Sequence, residues 1–196
     1  MKRTRFEYSY NPKSEILDVI LHGGSHGIDS SLIQKLISKS KQKGNSVIAF
    51  NFPYFERGDE HSSGHELKEE LETLSAFLEY CEYKSFKHVR LIAKSMGGII
   101  ASYFVNSLDE KEQENFEVVI LGYVIGEVKL SNFIGKVTVV QGEKDKFGDV
   151  NMVKDDLKNA KSRDISYFEI PGADHSYRVP ETKEPIFEDL AIEKVD

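Results

Sequence analysis

Residues 89–105 read VRLIAKSMGGIIASYFV, and the fold follows from how that run divides. Val89 to Ala93 is a short apolar stretch of strand type, and Met96 to Val105 is an apolar stretch of helical length. Only Lys94 and Ser95 separate them. A strand with apolar residues on both faces must be covered on both faces, which is the situation of a parallel sheet flanked by helices. The same kind of run recurs at Ile16–Leu21 before His22-Gly23-Gly24, at Val47–Phe52 before Pro53, and at Val118–Val124, Val137–Gln141 and Ile165–Ile170. Helical patterns alternate with them. Leu32, Ile33, Leu36 and Ile37 follow a capping serine at Ser30 or Ser31 and stop at Gly44-Asn45. Leu67, Leu71, Leu74, Leu78 and Cys81 form one helical stripe, and Val150–Ala160 and Pro185–Val195 add two more helices. Thr4 to Tyr10 alternates, with Phe6, Tyr8 and Tyr10 on one face, as a half-buried edge strand does before Asn11-Pro12. The expectation is a single α/β domain over residues 1–196, with a mostly parallel twisted sheet and helices on both faces.

Composition excludes several classes of function. Lys plus Arg is 26 against 33 Asp plus Glu, a net charge of −7, whereas nucleic-acid-binding domains carry a basic stripe. Val118 to Gly126 is an apolar run free of charge, and it, like the uncharged run Ser95 to Leu108, is short of the roughly 20 residues of a membrane helix. Lys2, Arg3 and Arg5 make the N-terminus basic, but no apolar segment of signal-peptide type follows. A lone cysteine, Cys81, forbids internal disulfides and fits a reducing compartment. These features predict a cytoplasmic protein with neither a membrane nor a nucleic-acid partner.

Open α/β sheets bind ligands at the carboxyl ends of their strands, and the suspicious polar residues of this chain gather there. Ser95 sits where a strand turns directly into a helix. Small residues two before and two after, Ala93 and Gly97, let the two elements pass, as in the G-x-S-x-G turn that thrusts a serine above its sheet. Asp145 follows the strand ending at Gln141, and His175 follows the strand ending at Ile170. A serine hydroxyl becomes a nucleophile when an imidazole takes its proton, and the imidazole needs a carboxylate to hold its tautomer. The chain order Ser95, Asp145, His175 supplies all three. The amide of Met96 and that of Gly24, in the loop after an earlier strand, are the expected donors to an oxyanion. Glycine suits that loop because the backbone must approach the substrate and can require positive φ.

With these residues in place the chain resembles the α/β-hydrolase superfamily. More narrowly it is similar to the short dienelactone-hydrolase-like group that includes testis-expressed protein 30 and KAT8-complex subunit 3 type domains. The matching stretches are LHGGSHG (21–27), FNFPY (50–54), AKSMGG (93–98), LGY (121–123), VVQGEKDKFG (139–148) and GADHSY (172–177). The resemblance implies a single-domain α/β-hydrolase fold with Ser95 as nucleophile, Asp145 as acid, His175 as base, and Gly24 and Met96 at the oxyanion hole. Two departures stand out: Ala93 replaces the usual first glycine, and the stretch after Tyr123 is short. The group also contains scaffolds, so a non-catalytic binding module on this fold is the alternative to a serine esterase.

Rival motifs are weaker. LHGGSHG lacks the G-K-[ST] ending of a phosphate loop. His22 with His26, and His61 with His65, fall outside the H-E-x-x-H pattern, and no metal or cofactor is expected. His22 reads as a buried ring holding its loop. Glu66, Glu69, Glu70 and Glu72 read as surface charge near a helix start. Lys94, beside Ser95, has two readings: a raised local potential that favours an anionic substrate, or the commoner one, expected here, of a side chain facing solvent or a carboxylate. No lid is inserted between Leu121 and Val137, so the site should be open. Phe55, Tyr123, Phe133, Phe147 and Tyr177 are the candidate rim residues by loop position, with Tyr123, Phe147 and Tyr177 foremost for substrate contact. A small soluble ester or thioester is the expected substrate, and Asp145 is expected to raise the His175 pKa above the ordinary value of about 6.5.

Overall fold

In the computed structural model, which describes residues 4–59 and 62–195, the apolar runs become seven strands of one sheet: β1 (Phe6–Ser9), β2 (Ile16–Leu21), β3 (Ser46–Phe50), β4 (His88–Lys94), β5 (Phe116–Leu121), β6 (Lys136–Gly142) and β7 (Ile165–Ile170). They hydrogen-bond in the order β1-β3-β2-β4-β5-β6-β7. Only β1 is antiparallel, and it forms one edge, as its alternation predicts. Chain direction across the sheet reverses between β2 and β4, so the topological switch point lies at the carboxyl ends of those two strands.

Side chains alternate across the pleat and build one core on each face. On one face Ile20, Val47, Ala49, Ile92, Val119, Leu121 and Val140 meet helix α1 (Ser31–Gln42) through Leu32, Ile33, Leu36 and Ile37. Ala191 and Ile192, from the helix at Glu188–Glu193, complete it. On the other face Val19, Leu21, Ile48, Phe50, Leu91, Ala93 and Val118 meet helices Lys68–Tyr80 and Met96–Ser107 through Leu74, Leu78, Ile100 and Phe104. In chain order the helices are α1, α2 (Pro53–Arg57), α3 (Lys68–Tyr80), α4 (Met96–Ser107), α5 (Glu110–Gln113), α6 (Val150–Asp156) and α7 (Glu188–Glu193), with a 3₁₀ turn at Tyr83–Ser85. Buried Asp18 interrupts the apolar run of β2. It survives there because Arg90, directly opposite on β4, and Asn45 both donate to its carboxylate, at 2.8 and 2.9 Å.

The sequence pattern misses α2, α5 and the 3₁₀ turn, each too short for a periodic signal. Pro53 opens α2 as its first residue as well as ending the strand before it. The run Val118–Val124 leaves the sheet at Leu121, because Gly122 adopts φ +72° and Gln141 captures the amide of Tyr123 at 2.7 Å. The C-terminal helix starts at Glu188 rather than Pro185, and α6 stops at Asp156. Residues 122–135 hold no helix or strand, so no lid is built there.

The junction of β4 and α4 is the tightest packing point. A Cβ at Gly97 would lie 2.8 Å from the carbonyl oxygens of Leu21 and His22, and one at Gly98 would lie 2.9 Å from Ile120 Cγ2. A Cβ at Gly24 would meet nothing within 4 Å. Gly97→Ala should therefore cost about 1–3 kcal/mol, as overpacking against rigid backbone does. Gly24→Ala should leave stability unchanged. Urea unfolding of the two variants checks the contrast, and equal midpoints would show that α4 does not depend on that close approach.

Candidate active site

Ser95 occupies the switch point. Its backbone has φ 50° and ψ −113°, a region that a non-glycine residue enters only when the surroundings impose it. Three hydrogen bonds do so: Ser95 donates its amide to Leu121 O at 3.0 Å, and its carbonyl accepts from Gly98 and Ile99 at 2.8 and 3.2 Å. The turn leaves Met96 as the first residue of α4, where amides have no acceptor within the helix.

Above the serine, His175 Nε2 lies 2.8 Å from Ser95 Oγ, and His175 Nδ1 lies 2.7 Å from Asp145 Oδ2. The second carboxylate oxygen of Asp145 accepts the amide of Phe147 at 2.9 Å. A carboxylate can only accept, so the ring donates from Nδ1 and Nε2 accepts the Ser95 hydroxyl proton. The other two carboxylates near the base are committed elsewhere. Asp149 caps α6 through the amides of Asn151 and Met152, and Asp174 accepts those of Ser176 and Arg178. Burial holds the His175 pKa below its ordinary value, outweighing the upward pull of Asp145, while Lys94 pushes in the same downward direction as burial. The expected upward shift is thus reversed, because the ring loses more solvation than one carboxylate returns.

His22 is fully buried, with Nε2 accepting from Phe52 N at 2.9 Å and Nδ1 donating to Gly23 O at 2.6 Å. Burial depresses its pKa to about 4, and the neutral ring ties the loop after β2 to the start of α2, as expected. Gly24 lines the same cavities as Ser95 and His175. Neither Gly23 nor Gly24 has positive φ, and a Cβ on Gly23 would make only ordinary contacts, with Lys94 and Ser95 at 3.5 Å, so neither left-handed geometry nor crowding within the fold requires glycine at these two positions.

Lys94 departs from expectation. Its ammonium is buried, has no hydrogen-bond partner and lies 5.8 Å from the Tyr177 ring centroid. Successive residues of a strand face opposite sides, so Lys94 follows Ile92 into the α1 face instead of reaching solvent. Loss of hydration lowers its pKa to about 7, against the opposing pull of Asp145 and Asp174. Gly122 makes room for it: a Cβ there would meet Lys94 Nζ at 2.7 Å and His175 Cε1 at 2.9 Å.

Two of the foremost rim candidates are core residues. Tyr123 is fully buried, its hydroxyl donating to Asp156 Oδ2 at 2.9 Å, and Tyr177 is fully buried with its hydroxyl on Val140 O at 2.8 Å. Phe133 is buried as well. Phe147 and Phe55 do line the groove beside Ser95, and the Phe147 ring stands edge-on to His175 at 4.6 Å. Arg178, three residues beyond the base, lines both cavities at Ser95 and carries no motif signal in the sequence. In the acidic cluster, Glu66 and Glu72 are exposed and Glu69 pairs with Arg57 at 2.7 Å. Glu70 is instead buried, accepting the amide and hydroxyl of Ser63. His61, Lys2 and Arg3 lie outside the described residues. Among the described residues no group of three or more His, Cys, Asp or Glu is placed to hold a metal ion, and no helix is long and apolar enough to cross a membrane.

Comparison with known proteins points one way. The family described as "Alpha/beta hydrolase domain" matches residues 14–195. No curated protein sequence matches. Among solved structures, an alpha-beta serine hydrolase homologue from Coxiella burnetii is similar with TM-score 0.72 at 16% identity, over 98% of this chain and 91% of that one. Est1E from Butyrivibrio proteoclasticus with ferulic acid bound gives 0.71 at 12% identity, over 98% and 92%. An α/β serine hydrolase without a lid from Xanthomonas campestris gives 0.70 at 16%, over 98% and 87%.

Replacing Lys94 by Met keeps its length and removes a buried charge without a hydrogen-bond partner. Lys94→Met should stabilise the fold at neutral pH by about 1–4 kcal/mol. The folded-state pKa of about 7 lies below the ordinary lysine value of 10.5, so between them the unfolded chain binds more protons and wild-type stability rises with pH. The variant's advantage should shrink by about 1.4 kcal/mol per pH unit above 7. Urea unfolding of both proteins at pH 7, 8 and 9 reads this, and a constant gap would mean that folded Lys94 keeps its proton through pH 9, its pKa not lowered by burial.

Proposed function

The chain belongs to the α/β-hydrolase domain family, and from that premise we propose that it is a serine hydrolase opening a small carboxylic ester or thioester. The observation that carries the reading is the unbroken line Asp145–His175–Ser95, with hydrogen bonds of 2.7 and 2.8 Å meeting at a serine in strained backbone. In this reading Ser95 Oγ attacks the carbonyl carbon while His175 Nε2 takes its proton. Asp145 holds the ring and stabilises the imidazolium without itself being protonated. The amides of Gly24 and Met96 receive the oxyanion. Collapse of the tetrahedral intermediate sends the Nε2 proton to the leaving alcohol or thiol and leaves an acyl-Ser95. Water, deprotonated by the same nitrogen, then releases the acid and restores the hydroxyl.

The fold and chemistry also favour the short dienelactone-hydrolase-like group, on the motifs at 21–27, 93–98 and 172–177, with the domain taking in residues 1–196. The open groove beside Ser95, flanked by Phe55 and Phe147, suits a small soluble molecule. A free, buried Cys81 fits a cytoplasmic setting. A scaffold on this fold has no need of an aligned nucleophile, base and acid, and their alignment favours catalysis over that alternative.

A fluorophosphonate probe should label Ser95, identified by mass spectrometry of the modified peptide. Ser95→Ala and His175→Ala should each lower kcat by roughly 10⁴-fold or more, and the double variant should be little worse than either single one, because attack and proton transfer form one unit. Losses that multiply would sink the triad.

The pH profile offers a separate check. His175 must be neutral to accept the proton, so kcat/KM should rise with pH through one ionisation placed below the ordinary histidine value by burial. Asp145→Asn removes an interaction that raises that pKa, so its limb should move lower still while the maximal rate collapses. A limb that moves upward instead would remove Asp145 from the role.

A further inference from the structure

The β1 edge of the sheet carries an aromatic surface that hydrolysis at Ser95 does not use. Among the described residues β1 ends the strand order and pairs with β3 alone. Its aromatic residues lie on the α3 side of the pleat and lean on the end of that helix. The Phe6 ring stands 5.4 Å from that of Phe77 and 5.8 Å from that of Tyr80, and Tyr8 stands 5.8 Å from Tyr80. Tyr10 continues the row against Phe86 at 6.5 Å. These contacts leave the outer faces of the rings bare: Phe6 is 45% exposed, Tyr80 59% and Tyr10 61%. Single apolar side chains on a surface are ordinary, whereas a contiguous patch marks a contact site.

The backbone along the patch is open as well. Arg5 O accepts from Asn51 N at 2.9 Å, and bonding direction alternates along an antiparallel strand. Glu7 therefore turns its N–H and C=O toward β3 like Arg5, while those of Phe6 and Tyr8 point outward, where no further strand follows among the described residues. Such an edge is a template for another strand.

Charges on the opposite side of the pleat select the strand that fits. There Arg5 pairs with Asp29, and Glu7 with Lys41. A two-fold axis perpendicular to the sheet keeps each face on its own side only when it opposes residues of the same parity. Centred on Glu7, it opposes that carboxylate to itself. Centred on Tyr8, it sets Glu7 against Ser9. Centred on Phe6, it sets Arg5 against Glu7 of the second copy, and Glu7 against Arg5 of that copy. Asp29, Arg5, Glu7 and Lys41 then alternate in sign across the axis. The same centring lays Phe6 on Phe6 and opposes their outward N–H and C=O groups, donor to acceptor.

We propose that this edge is a homodimer interface, in which β1 pairs antiparallel with β1 of a second copy about a two-fold axis at Phe6 and joins the two sheets into one. The contact is isologous, so it closes at two chains. Its strand is four residues long, so the interface is small and the dimer should be weak and reversible, with a Kd of about 1–100 µM. Nothing in it depends on the hydrolase reading of Ser95.

Sedimentation velocity of the purified chain over roughly 0.5–500 µM should show monomer passing into dimer. Phe6→Lys should leave monomer throughout. Glu7→Arg, which puts like charges opposite one another, should raise Kd about tenfold, and adding Arg5→Glu should recover part of that loss. Circular dichroism and urea midpoints close to those of the unmutated chain establish that these surface variants fold. Hydrogen exchange reads the contact without any variant: the amides of Phe6 and Tyr8 should exchange fast at low concentration and slowly at high. A chain that stays monomeric over the range overturns the interface, and so does a dimer that survives Phe6→Lys. A dimer whose Phe6 and Tyr8 amides stay fast is joined at another face. Protection at every concentration means that a segment of the same chain covers the edge, and either result overturns the proposal. A double variant no tighter than Glu7→Arg alone overturns the pairing centred on Phe6.

Discussion

Everything at the site depends on β4 passing into α4 without a loop. The absence of a loop forces Ser95 to φ 50°, and it brings α4 so close to the end of β2 that only glycine fits at position 97. The same closeness puts the His22–Gly24 loop beside the serine, since β2 and β4 are neighbours at the point where chain direction across the sheet reverses. A strained residue persists only when its surroundings determine it from several sides. Here the determinants are the amide bond to Leu121, the two bonds from Gly98 and Ile99, and the apolar seating of Ile100 and Phe104. Geometry at the serine is therefore a product of the core.

Electrostatics adds a second layer. Burial of His175 lowers its proton affinity and Asp145 works against that, while Lys94 reinforces the lowering from the other side of Gly122. A lysine buried with no hydrogen-bond partner detracts from stability, and Lys94 is such a group directly beside Ser95. The chain is acidic as a whole, with net charge −7, whereas the residue that precedes Ser95 on β4 is a buried cation.

Much of this is legible in the sequence. Continuous apolar runs locate β2 and β7 with correct ends, and the stripe from Leu67 to Cys81 locates α3, because burial on both faces or along one stripe leaves a strong periodic trace. Ser95, Asp145 and His175 can be found because each sits just past such a run. What the sequence misplaces, it misplaces for physical reasons. It points Lys94 toward solvent, since local sequence does not say which side of a pleat is covered by α1. Loop position alone suggests a rim for Tyr123 and Tyr177, yet each hydroxyl finds an acceptor inside, on Asp156 and on Val140 O. Arg178 gives no signal, because an arginine near a histidine marks nothing in the sequence until the fold shows it lining both cavities at Ser95.

Tyr177 has one more consequence. Its hydroxyl pins the histidine loop to β6, and Lys144 N–H, at the end of that strand, donates to Ala173 O in the same loop at 2.9 Å. Asp145 also follows β6. Asp145 and His175 are thus both tied to one interior strand, although His175 arrives in the chain after the half-buried edge strand β7. Sheet edges are where local opening costs least. With both ends of the Asp145–His175 bond tied to β6, that bond does not depend on β7 for its length.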